Sequence, residues 1–108
     1  MDLPNEFDNR VSLLFTADEM SEPLIMVYQH LSFVAHFGCD YLLLTPPELC
    51  FVKNDVSIHK FPVAYGNHSI YDYYRACFLA VFERDDLVQK LFRYEFSNVG
   101  DLIIRLVG

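Results

Sequence analysis

The sequence predicts an α+β domain, with a mixed or antiparallel sheet of about four to five strands packed against two to three helices. Three observations predict it. The spacing of apolar residues switches several times between the 3.6-residue period of helices and the two-residue period of strands. Breaking residues stand at those switches, among them Gly38, Pro46-Pro47, Asn54-Asp55, Asn98 and Gly100. The length of 108 residues with 53% apolar content suits one hydrophobic core, so residues 1–108 are expected to form a single domain. Ten Phe and seven Tyr with no Trp make that core aromatic, which excludes an intrinsically disordered chain.

In chain order the elements read β-α-β-β-β-α-α-β. Val11 to Thr16 reads as a short strand after a polar arm. Thr16-Ala-Asp-Glu19 has capping-box spacing, and Pro23 suits a first helical turn, so a helix is expected from about Glu22 to Phe37. Gly38 then takes the position just past the helix end. The main apolar stripe of this helix is Leu24, Val27, Tyr28, Leu31, Val34 and Ala35. Met26, Phe33 and Phe37, interrupted by His30, form a second. A helix apolar on most sides must be covered on most sides, by its own fold or by a partner.

Tyr41 to Thr45 reads as a buried strand ended by Pro46-Pro47, which cannot donate to a ladder. Leu49 to Lys53 and Val56 to Val63 flank Asn54-Asp55 as the arms of a hairpin. Ser69-Ile-Tyr-Asp72 resembles a helix start, and the helix it opens runs to about Glu83. Its segment Ala76 to Phe82 is apolar all round, which marks it as central. Asp85 or Asp86 caps a further helix to about Phe96, with Leu87, Val88, Leu91, Phe92 and Phe96 inward. Leu102 to Val107 closes the chain as a strand.

The formal net charge is −7, from fifteen acids against eight bases. Nonspecific attraction to nucleic acid or anionic lipid is therefore disfavoured. The excess is polarised. Residues 1–22 carry six carboxylates (Asp2, Glu6, Asp8, Asp18, Glu19, Glu22) against Arg10 alone, whereas the two signs cancel from Lys60 onward. A basic partner would be steered to the N-terminal third. No apolar run is long enough to span a membrane. The acidic start of the chain is unlike a secretory leader, so a cytoplasmic location is expected. With three widely spaced cysteines, Cys39, Cys50 and Cys77, free thiols are the expectation there.

Chemistry-bearing patterns are sparse. His36 and Cys39 stand at the spacing of half a zinc site, but a second close pair is missing, so no metal is expected. The four glycines at 38, 66, 100 and 108 form no phosphate loop, and no nucleotide or other cofactor is expected. The carboxylates Asp85 and Asp86 are explained by capping. Two features favour interaction instead. One is the acidic cluster of residues 1–22. The other is Tyr71-Asp-Tyr-Tyr74 followed by Arg75, because Tyr and Arg are enriched at interfaces.

The sequence thus points to a non-catalytic acidic protein-binding domain, of the inhibitor or immunity type, that blocks a basic partner such as a nuclease. Its expected contact residues are Asp8, Asp18, Glu19, Glu22, Tyr71, Asp72 and Tyr73. Two alternatives belong to other classes. A homo-oligomeric structural or regulatory subunit, a homodimer in the simplest case, would use the second stripe of the 22–37 helix. A small enzyme would draw its site from His36, Cys39, His59, His68 and Tyr73.

Overall fold

The computed structural model describes residues 10, 13–16, 18, 22–45, 48–62, 68–97 and 100–107. Among them, helix α1 (Glu22–Phe37) is followed by strands β1 (Tyr41–Thr45), β2 (Glu48–Lys53) and β3 (Val56–Pro62). Helices α2 (His68–Arg84) and α3 (Asp86–Leu91) follow, and then strands β4 (Phe92–Phe96) and β5 (Leu102–Leu106). The five strands form one antiparallel sheet in the order β3-β2-β1-β5-β4, so the α+β class with an antiparallel sheet against helices is realised.

Local chemistry explains most boundaries. Gly38 has φ of 63° and ends α1, with the Cys39 amide bonded back to the Val34 carbonyl at 3.0 Å. Lys53 Nζ donates to the Phe37 carbonyl at 3.1 Å, so the β2–β3 hairpin caps the same helix end. Asn54 and Asp55 both have positive φ, 53° and 62°, as a two-residue hairpin turn demands. These residue types tolerate that region without glycine.

Two local readings give way to the structure. Leu13 and Leu14 have helical backbone where a strand was expected over 11–16. The helix capped by Asp85 ends at Leu91, and Phe92 to Phe96 becomes β4, paired with β5 from Phe92↔Leu106 to Phe96↔Leu102. Phe-Arg-Tyr-Glu-Phe alternates apolar and polar residues, so it satisfies the strand period as well as the helical one. The open edge of β5 decides between them, because pairing there satisfies the backbone of both segments. A smaller difference is that α2 begins at His68, which places Ser69 inside the helix rather than before it.

All three helices lie on one face of the sheet. The core joins Leu24, Val27, Tyr28, Leu31 and Val34 of α1 and Tyr74, Cys77, Phe78 and Val81 of α2 to alternate sheet residues. Those are Leu42, Leu44, Leu49, Phe51, Phe92, Leu102 and Ile104. The second stripe of α1 is covered largely by its own sheet. Phe33 packs on Phe51 with ring centroids 4.4 Å apart and meets His59 edge-on at 4.9 Å. Only Phe37 at its end stays 45% exposed.

Candidate functional site

Two polar arrangements and one groove stand out. The first arrangement centres on Asp85, whose side chain is 0% exposed. Its Oδ1 accepts from the Leu87 and Val88 amides at 2.9 and 3.3 Å, which makes it the N-cap of α3. Arg10 Nε donates to Oδ1 and Oδ2 at 2.7 and 2.8 Å, Arg10 Nη2 lies 2.6 Å from Oδ1, and Tyr28 OH donates to Oδ2 at 2.8 Å. Burial by itself pushes the carboxyl up. The hydrogen bonds from Arg10 and Tyr28, the Arg10 charge and the Val88 amide outweigh it, and the group ends below its ordinary value. This network ties three distant parts of the chain together, and all its carboxylate lone pairs are engaged. It is a structural clasp.

The second arrangement pairs His30 of α1 with Tyr74 of α2, Nδ1 to OH at 2.7 Å. The hydroxyl donates to a bare Nδ1 or accepts from Nδ1–H, so the pair is bonded in either ring tautomer. Phe51, Phe61 and Tyr74 surround the imidazole with centroids at 5.5–5.8 Å. Burial lowers the His30 pKa to about 4, so the ring is neutral near pH 7.

The groove has a volume of about 300 Å³. Buried Phe15, Leu24 and Cys77, together with Ala80, form its apolar base, and Asp18, Tyr73, Ala76 and Arg84 complete the lining. Arg84 stacks on the Phe15 ring at 4.8 Å, which fixes one side of the opening. Tyr73, Ala76, Cys77, Ala80 and Arg84 recur at three- and four-residue steps, so they share one face of α2. The two alanines leave the space that larger side chains would fill. Burial pushes the Cys77 thiol up, which keeps it protonated and a poor nucleophile.

The expected contact residues divide on this map. Asp18, from the acidic N-terminal segment, and Tyr73, from the tyrosine cluster of α2, come together in the groove lining. Tyr73 is 52% exposed while its neighbour Tyr74 is buried. Asp72 is exposed on α2 beside Tyr73. Asp8 and Glu19 lie outside the described residues, as do the side chains of Glu22 and Tyr71. Phe15, Ala76, Ala80 and Arg84 were not singled out from the sequence. The Tyr-x2-Ala-x3-Ala spacing was the legible signal for that face of α2.

The residues of the enzyme alternative are dispersed. His36 is exposed at the end of α1 against Phe37, Cys39 is buried, and His59 is stacked on Phe61 of β3 at 6.0 Å. The His68 side chain is outside the described residues. All three cysteines are free and buried. Among the described residues, no three His, Cys, Asp or Glu side chains gather as a metal-binding group, and no helix is long and apolar enough to cross a membrane. Comparison with protein-family models, with curated proteins and with solved structures gives no match.

Proposed function

We propose that the chain is a non-catalytic acidic protein-binding domain, of the inhibitor or immunity type, that blocks a basic partner such as a nuclease through the groove on α2. The observation that carries the reading is the meeting of Asp18 and Tyr73 over an apolar base. A lysine or arginine of the partner can lay its aliphatic stem along Leu24, Ala76 and Ala80. Its cation then reaches the Asp18 carboxylate and the face of Tyr73. Asp18 also belongs to the acidic segment 1–22, whose field would steer a basic protein to this end of the molecule. The protonated state of the Cys77 thiol supports a binding role for the groove over a nucleophilic one.

Affinity capture from the native host at low and high salt tests the proposal, with Asp18→Lys and Tyr73→Ala as comparison baits. A basic protein held by the wild type at low salt, released by salt, and lost by both variants is the expected result. Asp18→Lys should lower the association rate, and Tyr73→Ala should speed dissociation. Retention that is indifferent to both substitutions, or no basic protein held at low salt, overturns the reading.

A further inference from the structure

The sheet has a second face, which the three helices do not cover. The molecule measures 33 × 32 × 21 Å, and the thin dimension suits one helix layer on one sheet. Register places Lys60, Cys50, Leu43, Ile103 and Glu95 in one row across all five strands of this face. Tyr41, Val52 and Arg105 lie in the next row, with the Arg105 guanidinium 5.1 Å over the Tyr41 ring. Apolar residues therefore occupy the middle, Tyr41, Leu43 and Ile103 half-buried and Cys50 and Val52 buried among their neighbours, with a cation at the β3 edge and a carboxylate at the β4 edge. Arg105 also donates to Glu95 at 3.2 Å, which holds that carboxylate in place on the same face.

We propose that this face docks a second copy of the chain, the two sheets stacking about a twofold axis parallel to β1. Such an axis reverses the row. Lys60 then stands opposite Glu95 of the partner subunit, Cys50 opposite Ile103, and Leu43 and Tyr41 meet their own copies on the axis. An axis across the strands would set Lys60 against Lys60 and is disfavoured. Charge selects the occupant as well as the orientation. The chain carries −7, yet this face presents Lys60, Arg93 and Arg105 against Glu48, Glu95 and Asp101. Two copies thus meet where like-charge repulsion is least, whereas a strongly basic protein gains little here.

Five strands about 4.8 Å apart and about five residues long offer roughly 1,000 Å² of buried surface in total, at the lower bound for a specific interface. Glu48 faces Asp101 of the partner subunit near one end, which further limits the affinity. The dimer is accordingly weak, with Kd on the order of 10–100 μM. The groove lies among helix residues on the other side of the sheet, so each dimer displays two of them.

Sedimentation equilibrium from 5 to 500 μM, roughly bracketing that range, tests the inference on the intact chain. Lys60→Glu and Glu95→Lys each turn two symmetry-related attractions into repulsions and should weaken the dimer about tenfold. The double variant should restore it. Both sites are exposed, and unchanged thermal melts verify that the variants fold. In a Cys50→Ser background, which removes the thiol beside position 43, Leu43→Cys should crosslink across the axis under copper–phenanthroline, whereas Ser57→Cys, displaced from the axis, should not. A wild type that stays monomeric throughout, or a dimer indifferent to the charge reversals, overturns the proposal.

Discussion

Tyr28 and Tyr74 sit on neighbouring helices, both are buried, and the hydroxyl of each makes a short hydrogen bond, yet their electrostatic settings are opposite. Tyr28 donates to a carboxylate already paired with Arg10, so its bond belongs to a charged network. Tyr74 bonds an imidazole that burial keeps neutral. The difference shows two ways of making a buried polar group tolerable. One supplies a countercharge and fills every lone pair; the other keeps the group uncharged inside an aromatic cage. Among the described residues no buried side-chain nitrogen or oxygen lacks a partner, so both solutions are complete.

The largest effect should come from breaking the charged network at its centre. Asp85→Ala removes the cap of α3 and the carboxylate that Tyr28 and Arg10 bond, leaving Arg10 only the exposed Asp86 at 3.7 Å. A loss of about 3–5 kcal/mol is expected by urea denaturation. A loss under 1 kcal/mol would mean that water replaces the carboxylate at little cost.

The two networks should also fail at different acidity. An unfolded imidazole titrates near 6.5 and His30 in the fold near 4. Between those values the unfolded chain binds more protons, so the stability His30 contributes is whole above about pH 6.5 and is lost as pH falls toward 4. A shift of that size corresponds to about 3 kcal/mol; with part of the ring near solvent, about 2 kcal/mol is expected. His30→Phe with Tyr74→Phe should flatten stability across this window. The Asp85 carboxyl is lowered in the fold, so its contribution persists through that window and is lost only as pH falls below the ordinary carboxylate range. Melting temperature against pH for wild type, the double variant and Asp85→Asn separates the two.

The smallest contrast is between the hydroxyls themselves. Tyr28→Phe deletes a bond to an ionised acceptor and should cost about 1.5–3 kcal/mol, against about 0.5–1.5 kcal/mol for Tyr74→Phe. Equal costs in denaturant melts would remove the distinction between the settings.

Much of this was written in local sequence. The bounds of α1, its Gly38 stop, β1, the Asn54-Asp55 hairpin and the Asp85 cap all follow from residues within a few positions of the feature. Helical period, glycine at positive φ and side-chain capping are short-range physics, and a linear pattern carries them. The groove was half legible: the interface preference of Tyr73 and the acidity of the segment around Asp18 were visible. Their meeting over Phe15 and Leu24 was not.

What tertiary structure alone decided is what depends on distant backbone. Phe92 to Phe96 fits helix and strand periods alike, and only the free edge of β5 made it a strand. Arg10 lies 75 residues from the carboxylate it pairs, and no spacing rule links them. The second stripe of α1 could have served a partner until β2 supplied Phe51 to cover it. Sequence determines which faces are apolar and which ends are capped, because those are local free energies. It does not say which distant surface satisfies them, because that choice compares burial and pairing across the whole chain.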